Sequence, residues 1–161
     1  VSACAVVAAK QVLGKTVTSD TDLFEQLLTA SDKASEREID GDAELVKLAS
    51  SMATCLTGKG YKVSGTRPMD MQQRGRNEFL DQEDEIGRRQ REDVPDVPPP
   101  TKKGEIKRTF GAKLTPAEAK PYLAKEIKAA LDDLECGKDF YRVYTPKSEA
   151  IDQRVAEEFG S

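Results

Sequence analysis

Apolar residues recur at intervals of three and four in the first third of the chain, a spacing that places them on one face of an α-helix. One stripe follows Ser19 and Asp20, either of which can accept hydrogen bonds from the first free N–H groups of a helix. A second begins at Asp42 and ends before Gly58, a residue suited to a helix end. The apolar positions of the two stripes are Leu23, Phe24, Leu27 and Leu28, then Leu45, Leu48, Ala49, Met52 and Leu56. The alanine-rich residues 3–13 predict a further helix, with a short buried strand at 5–7 as the alternative.

The last third of the chain carries the clearest helix start. Thr115, Pro116 and Glu118 follow the capping-box order, with proline at the first helical position. The apolar stripe that follows consists of Leu123, Ile127, Leu131 and Leu134, and it predicts a core-facing helix that ends before Gly137. Pro121 predicts a kink or a restart, because its ring clashes with the preceding turn.

The C-terminal 22 residues predict two different elements. Four strand-like residues lie at 140–144, namely Phe140, Tyr141, Val143 and Tyr144. Because they have no evident partner strand, we expect an extended aromatic connection packed on the core. Thr145 and Pro146 then predict the start of a last helix, with Ile151, Val155 and Phe159 at intervals of four.

The middle of the chain, residues 58–113, has a different composition. Only 12 of its 56 residues are apolar, and it carries 13 basic and 10 acidic side chains. Pro68 predicts the start of a charged helix to about residue 92, which Gly75 and Gly87 oppose, and the proline-rich residues 94–100 predict an extended chain. So few apolar side chains cannot offset the backbone entropy lost on ordering, so we expect this segment to need contacts from another molecule.

The sequence therefore predicts a mainly α fold, a small bundle of five or six helices with a long extended and helical excursion in the middle. Residues 1–57 and 114–161 are expected to form one helical core, and residues 58–113 to lie along a partner. The longest apolar run, residues 3–9, is far below the about 20 residues of a membrane span, so we expect a soluble or peripheral protein. Val1 and the small residues after it would suit a processed, organelle-targeted protein, and the compartment stays open.

Composition argues against most catalytic classes. The chain has no histidine, which excludes imidazole-containing triads and ordinary zinc sites that use histidine. Cys4, Cys55 and Cys136 show no metal-ligand spacing and predict buried free thiols. One disulfide with a leftover thiol is the alternative, and the spacing does not establish whether Cys4 and Cys55 pair. We expect no catalysis, no metal and no cofactor.

The function predicted is that of a non-catalytic accessory, linker or scaffold subunit of a larger protein assembly, docked through its central segment. The alternative is a helical coat or packaging protein that contacts RNA through the basic residues of that segment, although a net charge of −4 disfavours nucleic acid. The residues predicted to contact the partner are Met69, Phe79, Leu80, Ile86, Arg88, Arg89, Arg91, Val94, Val97 and Phe110.

Overall fold

The computed structural model describes residues 3–98 and 108–159, which form six α-helices and one π-helical turn. The prediction of a mainly α fold with a small helical bundle is confirmed. Within the described ranges, every helix is too short or too polar to cross a lipid bilayer. The helices are α1 (Ala3–Leu13), α2 (Asp20–Ser35), α3 (Ala43–Gly58), α4 (Pro68–Arg89), α5 (Pro116–Cys136) and α6 (Lys138–Phe159), and the π-helical turn is Glu36–Asp40 between α2 and α3.

Short polar side chains start the helices where the sequence indicates. The Ser19 hydroxyl accepts from the N–H of Asp22 at 3.0 Å, and the Asp42 carboxylate accepts from the N–H groups of Glu44 and Leu45. Thr115 and Glu118 form the complete capping box of α5. Each cap satisfies backbone donors that have no partner inside the helix, so each fixes a helix start.

The hydrophobic core lies among α2, the π-helical turn, α3 and α6, and Met71 of α4 also belongs to it. The fully buried side chains come from the π-helical turn, α3, α4 and α6, whereas α2 contributes Ala34 and the partly buried Leu23, Leu27 and Ala30. The largest side chains in this core are Phe140, Ile39, Leu45, Met52, Leu56, Met71 and Ile151. The N-terminal third and the last helix therefore do share one core, as the stripes indicate.

The predicted extended aromatic connection is wrong, as is the predicted helix start at Thr145. One helix, α6, contains both Phe140 and Pro146. The rings of Phe140 and Tyr144, four residues apart, lie 5.2 Å from each other. The interval of four residues that separates Ile151, Val155 and Phe159 also separates Phe140 from Tyr144, so all five residues lie on one face of α6. Burial of this whole face offsets the backbone hydrogen bond that is lost at Pro146.

Predictions for the C-terminal side of the fold fail in part. Helix α5 runs through Pro121 without the restart that was one of the two outcomes expected there. Its apolar stripe, predicted to face the core, is exposed, and Ala129 is the one buried residue among the 21 of this fully described helix. The free-thiol prediction is also wrong for two of the cysteines, because Cys55 of α3 and Cys136 of α5 form a disulfide. The side chain of Cys4 lies outside the described part of the chain.

The predicted central excursion is not confirmed. Helix α4 packs against α3, α5 and the π-helical turn, and Met71 is fully buried in the common core. Further along α4, the contacts that order the segment are polar: Asp84 and Arg88 are both buried and form an ion pair. The helix ends at Arg89 rather than near residue 92. The last residues of the predicted extended stretch, 99 and 100, lie outside the described residues.

Candidate docking surface

A row of apolar side chains on α5 faces away from the core. Leu131 and Leu134 are 62% and 61% exposed, and Leu123 and Ile127 are each slightly more than half exposed. Tyr122, the residue before Leu123, lies beside this row and is 40% exposed. We call these five residues the α5 stripe. A continuous row of this kind differs from single exposed apolar residues, which are common on protein surfaces.

Helix α4 presents apolar side chains to the same space. Phe79, Leu80 and Ile86 line a groove of about 600 Å³ between α4 and α5, together with Tyr122 and Leu123. The groove continues toward the C-terminal end of α5, where Phe79 and Leu134 line a further 350 Å³ or so. The two helices are thus splayed apart, and apolar side chains line both walls of the space between them.

Polar contacts hold the second half of α5 to the rest of the protein. The Tyr61 hydroxyl donates to Asp132 at 2.6 Å, and the Lys59 ammonium lies 2.9 Å from Asp132 and 2.8 Å from Glu135. Hydrogen bonds from Lys128, Tyr61 and Lys59 lower the pKa of Asp132 well below its ordinary value. The disulfide between Cys136 and Cys55 attaches the same end of α5 to α3.

Asp133, the next residue of α5, makes contacts with α4 and α6. Arg74 of α4, which is buried, lies 3.3 Å from Asp133, and the Tyr141 hydroxyl donates to the same carboxylate. Burial, followed by this hydrogen bond, raises the pKa of Tyr141. These contacts are confined to the second half of the helix. Every residue from 120 to 128 is exposed, so the first half of α5 does not pack against the core.

A second polar cluster forms the opposite end of the groove. Asp84 accepts from Arg88 and from the backbone N–H of Phe110, both at 2.8 Å, and Arg88 donates to the carbonyl of Arg108 at 2.8 Å. The Arg88 guanidinium also lies 4.8 Å from the centre of the Phe110 ring. The chain before α5 is therefore held against α4, which positions Ala112 and Leu114 at the groove wall.

Backbone contact is unusually close at Gly87. A Cβ atom at this position would lie 2.1 Å from the carbonyl oxygen of Phe110. One turn further, the side-chain amide of Gln90 makes two hydrogen bonds with the backbone of Lys113, at 2.8 and 2.9 Å. Glycine at 87 thus allows residues 110–113 to approach α4.

The predicted partner-contact residues divide into five groups. Phe79, Leu80 and Ile86 line the groove, whereas Met69 packs against the core. Arg88 and Phe110 belong to the polar cluster inside the chain, and Arg89 and Arg91 pair with Glu85 and Asp93. Val94 is half-buried and Val97 is 77% exposed, and neither is among the groove residues.

Sequence reasoning missed the larger half of the surface. The α5 stripe was detected by its spacing and then assigned to the core, because periodicity alone does not distinguish a helix that faces a core from one that faces a groove. Among the described residues, no group of three or more Cys, Asp or Glu side chains is arranged to hold a metal ion. The carboxylates around Asp132 instead meet lysine and tyrosine side chains.

Comparison with protein families, curated proteins and solved structures finds no match to this chain.

Proposed function

We propose that this protein is a non-catalytic subunit of a protein assembly and that an amphipathic helix of its partner docks in the α4–α5 groove. The observation that carries the proposal is the exposed α5 stripe, of which Tyr122, Leu123 and Leu134 line the groove and Ile127 and Leu131 lie beside it. A groove between two helices, lined by apolar side chains at helical spacing, is a common means of binding a third helix.

The size of the exposed surface supports a binding role. The exposed fractions of the groove-lining residues Leu80, Tyr122, Leu123 and Leu134 together equal about two whole apolar side chains, and Phe79 and Ile86 are also partly exposed. Covering those four would contribute roughly 3–6 kcal/mol, at about 1.5–3 kcal/mol for each side chain. Association itself costs about 4–15 kcal/mol, so the groove supports a moderate affinity rather than a permanent complex.

The charges at the rim indicate what kind of helix fits. Arg76, Glu83 and Glu126 surround the apolar walls, so the rim carries both signs of charge. A partner helix with one apolar face and mixed charges beside it would satisfy this rim, whereas a strongly basic or acidic helix would meet like charge on one side.

The alternative of RNA binding receives less support from the same residues. Arg74, Arg88, Arg89 and Arg91 all form ion pairs with carboxylates of this chain. A phosphate would have to displace those carboxylates, which weakens the electrostatic term that dominates nucleic-acid affinity. Lys102, Lys103 and Lys107 lie outside the described residues.

Native size in extracts of the source cells tests the proposal. We would crosslink the extracts, because a complex of moderate affinity dissociates on a column, and compare the tagged wild-type chain, a Leu123→Glu/Leu134→Glu variant and a Val7→Glu/Val12→Glu control by size-exclusion chromatography. Leu123 and Leu134 both line the groove. Both sites of the control are exposed apolar positions on α1, so it adds the same charge away from the groove.

We expect the wild-type chain and the control to elute well above 17.7 kDa and the groove variant to elute as a monomer. Unchanged circular dichroism and melting temperature of the purified groove variant would show that it is folded. A monomeric wild-type chain in the extract, or a groove variant that stays in the assembly, would overturn the proposal.

A further inference from the structure

We infer that the helix that fills the α4–α5 groove is α5 of a second copy of this chain, packed antiparallel across a two-fold axis. Each α5 would then lie in the groove of the other copy, and the two α4 helices would complete a four-helix bundle. This inference rests on the proposed function and names the partner. Such a contact is isologous, since the same surface is used twice, and it closes at two copies.

The spacing along α5 fits a helix pair. Leu123, Ile127, Ala130 and Leu134 follow intervals of four, three and four, the alternation found at the seam of paired helices. Ala129, the buried residue of α5, lines the groove together with Ala130 and Leu134. In an antiparallel pair centred between residues 128 and 129, Leu123 faces Leu134 and Ile127 faces Ala130. A large residue opposite a small one allows the two helices to interdigitate.

The charges along α5 favour the antiparallel direction. Three lysines and two glutamates lie in residues 116–128, whereas residues 129–136 contain three acidic residues and no basic one. All three acids already have a cation of the same chain nearby: Arg74 lies beside Asp133, and Asp132 and Glu135 share Lys59. The side chain of Glu135 is 72% exposed, against 14% and 16% for Asp132 and Asp133, so Glu135 is the acid that a second helix can reach. Antiparallel packing places the net positive half of one helix beside the acidic half of the other, and parallel packing would place like beside like.

The area sets the strength expected of the dimer. The exposed parts of the α5 stripe and Leu80 equal about three whole apolar side chains in each copy. At about 1.5–3 kcal/mol for each side chain and about 25 cal/mol per Å², two copies would bury on the order of 400–700 Å² of apolar surface. Apolar atoms make up a little over half of such interfaces, so the total would be roughly 700–1,300 Å². That is the size of weak, reversible complexes, so we expect a dissociation constant in the micromolar range.

Sedimentation equilibrium of the purified, oxidised chain from about 1 to 200 μM tests the inference, because the concentration range brackets that affinity. We expect a reversible approach to twice 17.7 kDa. Ile127→Glu should weaken self-association at least tenfold, and Val12→Glu should leave it unchanged. A monomer at 200 μM, or an Ile127→Glu chain that dimerises like the wild type, would overturn the inference.

Spin-label distances test the direction of packing. In a Cys4→Ser background, labels on Lys120→Cys would lie about 25 Å apart along the axis in the antiparallel dimer, and labels on Lys125→Cys about 10 Å, at 1.5 Å per residue. A parallel pair would give equal distances for the two sites and contradict the inference. A purified chain that stays monomeric, while the groove still controls assembly in extracts, would reject the second copy and leave the proposed function intact.

Discussion

The disulfide between α3 and α5 offers the sharpest test of how this fold is held together. Cys55 and Cys136 are 81 residues apart in sequence, and their Cα atoms lie 5.6 Å apart. Because α5 buries a single residue, apolar packing contributes little to its attachment. The covalent bond should therefore carry much of the free energy that keeps α5 on the protein.

The size of the effect follows from the length of the loop that the bond closes. For a separation of 81 residues, loop-closure entropy predicts that the disulfide stabilises the folded state by about 4.5 kcal/mol at 25 °C. In a protein of this length each kcal/mol shifts the melting temperature by about 2–4 °C, so reduction should lower it by roughly 9–18 °C. Helix α5 should separate first, because its remaining contacts are polar and partly exposed.

Urea unfolding with and without a phosphine reductant measures the free energy difference. A Cys55→Ser/Cys136→Ser variant should match the reduced wild type and should not respond to reductant. Cys4→Ser should behave as the wild type does under both conditions. A difference below about 1 kcal/mol between oxidised and reduced protein would refute the reasoning, since it would mean that the polar contacts alone hold α5.

Three further predictions concern individual positions. Gly87→Ala places a Cβ 2.1 Å from a carbonyl oxygen of the facing segment and should destabilise by about 1–3 kcal/mol in urea unfolding, whereas Gly75→Ala, with nothing within 4 Å, should stabilise by about 0.5–1 kcal/mol. Because hydrogen bonds in the folded protein lower the pKa of Asp132, the stabilisation from its carboxylate is present above pH 3.8 and is lost as the pH falls through the lower pKa of the folded state. Asp132→Asn should therefore flatten the acid limb of a profile of melting temperature against pH. An unchanged acid limb would contradict this. Leu45→Ala should cost about 2–5 kcal/mol of unfolding free energy and Ile127→Ala less than about 0.5 in the dilute monomer, and equal losses would show that α5 faces the core.

Local signals in the sequence were sufficient for most helix starts. Ser19, Asp42 and Thr115 each accept hydrogen bonds at the helix start where a capping residue was expected. Gly14 follows α1 with a φ of +65°, a conformation that favours glycine at a helix end. Such features depend on a few neighbouring residues, so one sequence is enough to find them.

Features that depend on distant residues were not predictable in the same way. Arg88 was predicted to contact a partner, yet Arg88 and Asp84, four residues apart, are both buried as an ion pair where the chain returns at Arg108 and Phe110. The composition of residues 58–113 indicated too little apolar surface to order the segment. It did not indicate that buried ion pairs and backbone contacts would hold residues 58–98 and 108–113, the part of this segment that the structure describes.

The position of α5 follows from competition between two apolar stripes for one core. Helix α6 buries Phe140, Ile151, Val155 and Phe159 beside α3, and two of these are aromatic side chains that remove a large area from water. The α5 stripe has no comparable ring facing that core, so α6 fills the space and α5 is held at the edge by a disulfide and polar contacts. We therefore expect folding and the proposed association to depend on different helices. Charges placed in the α6 stripe should unfold the chain, and charges placed in the α5 stripe should leave a folded monomer.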